Sequence, residues 1–174
     1  MIEAPARDVF AVITEFLVDD PSDEALLAYK LPDDLQKRVS HLLYLNRESE
    51  LTCEQRHELD DFVYADNMIS LLKTKIRLRQ RGKSRREKAV IDTPVRNVPD
   101  SVAEFLASDP TDDELLAYMF PKDIQARVHF LLDRNGEGEL TILEERELDD
   151  CLRANRFMAL LKVNTELRRQ GIET

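Results

Sequence analysis

The side chains that could do chemistry in this chain are paired carboxylates, three histidines, two cysteines and one run of cations. Asp60-Asp61 and Asp149-Asp150 each set two carboxyl groups side by side, an arrangement that can split a pair of pKa values for acid–base work. Neighbours on a helix point about 100° apart, so neither pair converges on one substrate atom. A solvated face, or pairing with Arg38 and Arg127, is the expected role. Glu54 and His57 have the spacing of half a di-iron bundle site, which needs a second such pair and two further Glu. No Ser or Cys has a visible base partner that would make it a nucleophile. Lys73, Lys75, Arg77, Arg79, Arg81, Lys83, Arg85, Arg86 and Lys88 are interrupted by a single acid, Glu87. Such a run can hold nucleic-acid phosphates, with binding that falls steeply as salt rises.

These residues must be positioned by a scaffold that is written twice. Ile13–Gly82 aligns without a gap on Val102–Gly171 at an offset of 89, with 33 of 70 positions identical. Glu15-Phe16-Leu17 returns as Glu104-Phe105-Leu106, and Glu58-Leu59-Asp60-Asp61 as Glu147-Leu148-Asp149-Asp150. The period is too long, and the copies too few, for a solenoid. The duplication also tests the candidates. Glu54 and His57 correspond to Leu143 and Arg146, so the di-iron idea fails. His41, His57 and His129 correspond to Phe130, Arg146 and Ser40, which leaves no shared histidine. Cys53 and Cys151 correspond to Ile142 and Phe62 and read as apolar fillers.

Each copy predicts four helices. Val9, Phe10, Ile13, Phe16 and Leu17 form one apolar face, as do Val98, Val102, Phe105 and Leu106; Pro21 and Pro110 end these helices. A short second helix follows, opened in the second copy by the capping pair Thr111 and Glu114. Pro32 and Pro121 suit the first turn of a third helix, which carries Leu35, Val39, Leu42 and Leu43, matched by Ile124, Val128, Leu131 and Leu132. A loop of about six residues leads to Thr52 with Gln55, or Thr141 with Glu144, again at capping-box spacing. The fourth helix, about 40 Å long at 1.5 Å per residue, runs to Gly82 or Gly171. No segment reads as a strand. The expected fold is therefore all-α: two homologous four-helix units, 1–82 and 98–174, each with a helical hairpin and a long last helix, joined by a charged linker, 83–97. The units are expected to pack about a pseudo-two-fold axis, as an ancestral homodimer would, and the oligomeric state beyond that internal pseudo-dimer stays open.

Asp133-Arg134-Asn135-Gly136-Glu137-Gly138-Glu139-Leu140-Thr141-Ile142-Leu143-Glu144 resembles an EF-hand calcium loop, with alternate oxygen groups, a glycine at the sixth position and Glu at the twelfth. The resemblance implies Asp133, Asn135, Glu137 and Glu144 as side-chain ligands, Glu139 through its carbonyl, and Thr141 directly or through water. The first copy has Tyr44, Ser49 and Gln55 where the second has Asp133, Gly138 and Glu144. Both keep Asn46/Asn135, Glu48/Glu137, Glu50/Glu139, Leu51/Leu140 and Thr52/Thr141, the set a tight turn with a capped exit needs. A structural turn is therefore preferred, with calcium as the alternative and no resident cofactor or metal favoured.

The 174 residues carry 35 acids against 25 bases, a net charge of −10, with two cysteines and four glycines. Four glycines leave little room for Gly-rich phosphate loops. No stretch is long and apolar enough for a membrane span, no secretory signal is recognisable at the start, and two unmatched cysteines suit a reducing cytoplasm. Residues 1–89 hold 15 bases and 17 acids, net −2; residues 90–174 hold 10 and 18, net −8. An acidic half steers toward basic partners.

Leu42-Leu43, Asn46-Arg47-Glu48, Glu50-Leu51-Thr52, Glu58-Leu59-Asp60 and Leu71-Leu72-Lys73 resemble the pattern of a group of small bacterial helical proteins, some encoded beside toxin-like nucleases. The second copy supplies Asn135, Gly136, Leu140-Thr141, Glu144-Glu145 and Glu147-Leu148-Asp149. The resemblance implies an antitoxin-like or partner-binding role. The expectation is a non-enzymatic, cytoplasmic protein-binding module for a basic partner, with calcium binding and nucleic-acid binding as alternatives.

Overall fold

Asp8 opens the first helix: its carboxylate accepts the Phe10 amide at 2.9 Å, satisfying one of the donors a helix start leaves unpaired. The computed structural model describes residues 7–80 and 98–171. Among them the first repeat forms α1 (Val9–Val18), α2 (Asp23–Ala28), α3 (Asp33–Glu48) and α4 (Cys53–Gln80). The second repeat forms α5 (Val98–Ala107), α6 (Asp112–Ala117), α7 (Lys122–Glu137) and α8 (Ile142–Arg169). No described residue lies in a strand, so the all-α expectation holds. The expected linker 83–97 lies outside the described residues.

Local chemistry sets the boundaries of these helices. Thr111 and Glu114 make the expected reciprocal capping box on α6, while Ser22 accepts the Ala25 amide on α2. Pro32 and Pro121 stand one residue outside α3 and α7, as caps with extended ψ of 151° and 148°, and not at the first-turn position expected of them. Neither can cap with a side chain. Gln36 and Gln125 reach back instead, donating to the Leu31 and Phe120 carbonyls at 2.6 and 2.5 Å. Phe16 stacks on Tyr29, and Phe105 lies against Tyr118, with ring centroids 4.3 and 4.2 Å apart. These pairs pin each short helix to the one before it.

The hairpin turns are tighter than the six-residue loop expected, because the third helix runs on to Glu48 or Glu137. It ends in a left-handed residue, Ser49 at φ 60° and Gly138 at φ 72°. The Glu50 amide donates to the Leu45 carbonyl at 2.9 Å, and the Glu139 amide to the Arg134 carbonyl at 3.0 Å. Ser49 and Gly138 donate to Asn46 and Asn135 at 3.2 and 3.1 Å, completing a Schellman ending in both copies. Four residues then suffice to reach the next helix.

On α4 the buried residues Leu59, Phe62, Ala65, Met68, Leu72 and Ile76 form one stripe, and on α8 so do Leu148, Cys151, Ala154, Met158, Leu161 and Thr165. The stripes run from Leu59 to Ile76 and from Leu148 to Thr165, but the compact units do not follow the repeats. One unit comprises residues 1–67 and 159–174, the other residues 68–158. Each therefore holds one hairpin together with the tail of the long helix of the other repeat. In the first unit, Asn164 donates to the buried Thr14 hydroxyl at 3.0 Å, and Arg168 donates to the Val18 carbonyl at the end of α1. In the second unit, Lys75 pairs with Asp100 at 3.0 Å, and Arg79 donates to the Ala107 carbonyl at the end of α5 at 2.8 Å. Arg79 and Arg168 are equivalent positions of the two repeats, and each puts a cation on the negative end of a helix.

The left-handed residue gives a direct test. An L side chain at positive φ costs roughly 1 kcal/mol relative to Gly. Ser49→Gly should raise the unfolding free energy of the full chain by about 1 kcal/mol, and Gly138→Ala should lower it by a similar amount. Nothing lies within 4 Å of a Cβ built on Gly138, so the loss is conformational and not steric. Denaturant midpoints of the three proteins measure both effects.

Candidate functional site

The most elaborate polar cluster among the described residues lies on the α7–α8 hairpin. Arg127 and Glu147, twenty residues apart, face each other across the two helices. The guanidinium donates through Nε and Nη2 at 2.9 and 2.7 Å, a bidentate pair. Arg134, two turns further along α7, donates to Glu144 Oε1 at 2.8 Å and to the Glu139 carbonyl at 2.6 Å. The Phe130 ring sits between these cations in sequence and in space, with the guanidinium carbons of Arg127 and Arg134 at 5.1 and 5.8 Å from its centroid. At the turn, Glu144 closes a capping box: it accepts from the Thr141 amide and hydroxyl at 3.0 and 2.9 Å, and its own amide donates to Thr141 Oγ1 at 3.3 Å.

The first hairpin keeps only the outer part of this arrangement. Arg38 and Glu58 make the same bidentate pair at 2.8 and 2.8 Å, and Thr52 and Gln55 make the same reciprocal cap at 3.0 and 3.1 Å. Leu45 replaces Arg134, and Gln55 replaces Glu144. This compensating change is a signal that the sequence carries and that residue-type reasoning passes over: a cation and an anion appear together in one copy and vanish together from the other.

Both arginines bind the glutamate two or three positions before the double aspartates. Asp150 lies 3.8 Å from Arg153 along its own helix. Of the calcium-loop residues, Asp133, Asn135 and Glu137 lie on the last turns of α7, where Asp133 and Asn135 are separated by about 200° around the axis. The Glu139 carbonyl accepts from Arg134, and Thr141 and Glu144 bind each other. The turn thus spreads these six oxygen donors over a helix end and a cap and does not gather them on one centre. Among the described residues no group of three or more His, Cys, Asp or Glu is placed to hold a metal ion.

The basic run is only partly described. Lys75 and Arg79 are engaged as stated above, and Lys73 and Arg77 lie on the same helix, Arg77 exposed. Arg81, Lys83, Arg85, Arg86 and Lys88 fall outside the described residues. His41, His57 and His129 are exposed on three different helices. Both cysteines are free, Cys53 exposed and Cys151 buried. Burial, followed by the nearby Glu147 and Asp150 carboxylates, pushes the Cys151 thiol up to about 11, so it stays protonated at neutral pH and is a poor nucleophile.

Electrostatics follow the bonds. The Thr141 amide and hydroxyl, then the Arg134 and Arg127 guanidiniums, hold the Glu144 carboxyl below the ordinary carboxylate value. The hydrogen bond to Glu147 raises Arg127 above the ordinary guanidinium value. A carboxyl whose folded pKa is depressed contributes stability that is complete above its unfolded pKa and is lost as pH falls through the folded one. Glu144→Gln keeps the cap, as Gln55 does in the first copy, and removes the titration. Its expected effect is a lower melting temperature at pH 7 and a shallower loss of stability on acidification, the two proteins converging once the carboxyl is protonated. The same two proteins should give no calcium-dependent heat in titration calorimetry; micromolar binding removed by the substitution would restore the calcium loop.

Comparison with known protein families, curated proteins and solved structures finds no match to this chain.

Proposed function

We propose that the chain is a non-enzymatic protein-binding module that holds a basic protein partner in the cytoplasm, as an antitoxin-like neutraliser or an adaptor does. The observation that carries this reading is how the polar side chains are used. The Arg–Glu pairs, capping boxes and helix-end arginines serve the turns and hairpins, which leaves the surface charge, −8 of the total −10 in residues 90–174, as the chemistry offered to other molecules. An acidic surface raises the encounter rate with cationic proteins and repels nucleic acids and anionic lipids. No helix among the described residues is long and apolar enough to cross a membrane. The resemblance to antitoxin-like helical proteins supports the same reading. So does the duplicated template, in which one chain carries two copies of the same helical unit.

The test is affinity purification of the tagged full chain from its native host at low ionic strength, with elution along a salt gradient. The expected outcome is one basic protein, bound stoichiometrically and released as salt screens the attraction. Recovery of nucleic acid alone, confirmed by a duplex-DNA shift at low salt, would replace this reading with the basic-segment alternative.

A further inference from the structure

Each long helix ends in the unit built around the other repeat, and the polar contacts its tail makes there are of two kinds. The first kind is shared. Arg79 donates to the Ala107 carbonyl and Arg168 to the Val18 carbonyl, with donors and acceptors both offset by 89 residues. A backbone acceptor does not depend on the side chain that carries it, so either tail would find this bond on the first helix of either repeat. The second kind is not shared. One turn earlier in the tail, Lys75 pairs with Asp100 at 3.0 Å, whereas Asn164 donates to Thr14 Oγ1 at 3.0 Å. Ala11 stands where the second repeat has Asp100, and Ala103 stands where the first has Thr14.

These differences are matched across the contact. Asp100, Ala103 and Ala107 are spaced i, i+3 and i+7 and share one helix face, as do Ala11, Thr14 and Val18. The tail with the cation meets the helix with the acid, and the tail with the short amide meets the helix with the hydroxyl. Pairing of like repeats needs two chains, because each long helix extends past its own hairpin, and it would break both matches. On the first repeat, Lys75 would face Ala11 and the buried Thr14, and Asp8, a turn earlier, already accepts the Phe10 amide. On the second repeat, Asn164 would face the Ala103 methyl, and Asp100 would lose its cation. The Lys75 and Asp100 side chains are 28% and 44% exposed, so their ion pair adds little stability by itself. Thr14 keeps its own bonds to the Phe10 and Ala11 carbonyls without Asn164. Such contacts matter less for holding a unit together than for choosing between otherwise equivalent partners.

We infer that Lys75 with Asp100, and Asn164 with Thr14, set the pairing specificity of the repeats: they direct each long-helix tail to the unlike repeat and disfavour its exchange onto the like repeat of a second copy of this chain. Unlike pairing can be satisfied within one chain, whereas like pairing links chain to chain. The selection holds whatever partner the acidic surface binds.

The test exchanges the two tail residues, Lys75→Asn together with Asn164→Lys, in the full chain. Composition and net charge stay the same, both positions are half-buried, and the matches then exist only between like repeats of two chains. Light scattering over a concentration series gives the self-association constant. The series runs up to roughly millimolar protein, because a covalent connection gives the intrachain pairing an effective concentration of that order. Loss of a hydrogen bond and an ion pair within the chain, and their gain between chains, should raise the constant at least about tenfold over the wild-type chain. Adding Ala11→Asp and Asp100→Ala moves the acid opposite the transplanted lysine and should bring the constant back toward the wild-type value. If circular dichroism shows that the exchanged chain loses its fold, the denaturant midpoint of the chain with all four substitutions decides. Recovery toward the wild-type midpoint supports the inference, and a midpoint no higher than that of the exchanged chain overturns it. Self-association that the exchange leaves unchanged, or that rises and is not lowered by moving the acid, also overturns it and leaves the protein-binding reading standing.

Discussion

A mismatch of helix lengths governs this molecule. The long helices α4 and α8 have 28 residues and the helices they pair with, α3 and α7, have 16, about 42 Å against about 24 Å. Roughly a dozen residues of each long helix therefore extend past their own hairpin, yet the apolar stripe continues to the end. Leaving Met68, Leu72 and Ile76 in water would forfeit about 1.5–3 kcal/mol for each, a large share of the margin of a small domain. These residues are buried in the unit that holds α5, α6 and α7. A lone repeat of about 70 residues is marginal by itself, and the overlong helix lets each repeat supply part of the other's unit.

That constraint explains which features were legible in the sequence. Whatever depends on residues within a few positions of one another could be read directly: the apolar spacing of α1, the capping pairs at Thr111, Thr52 and Thr141, and the exclusion of strands. The closing of α3 by Ser49 was not legible, because serine carries no preference for positive φ. Only the Schellman bonds to Asn46 and Leu45 hold it there. The proline caps were misplaced by one residue, since the fixed φ fits both positions and the choice is made by Gln36 and Gln125. The division of α4 and α8 between two compact units was beyond sequence spacing altogether. It depends on contacts such as Asn164 to Thr14, 150 residues apart.

The polar ladder shows how the candidate site could be half read. Sequence reasoning found Arg38 and Arg127 and offered them acidic partners on the facing helix, and the structure gives each a glutamate there. Glu58 and Glu147 reach across the hairpin from positions beside the buried Leu59 and Leu148. Both copies retain the pair, which marks it as part of the scaffold. Arg134 with Glu144 exists in one copy only. It adds an ion pair to a capping box that already works with Gln55, and it draws the Glu139 carbonyl and the Phe130 ring to the same guanidinium.

The fate of the calcium-like loop follows from that guanidinium. A metal loop must stay out of the helix so that its odd-numbered residues turn inward together. Here α7 keeps hydrogen bonding through Asp133, Asn135 and Glu137, and the left-handed Gly138 ends it at the point where the Thr141 cap can begin the next helix. Arg134, the one cation inside the motif, places positive charge where a divalent ion would have to compete with it for Glu144 and the Glu139 carbonyl. The loop and the helix end are alternative uses of the same twelve residues, and the intrahelical bonds together with the Arg134 contacts favour the helix end. That choice is also what leaves Asp133 and Glu137 on the surface, one and two turns from Phe130.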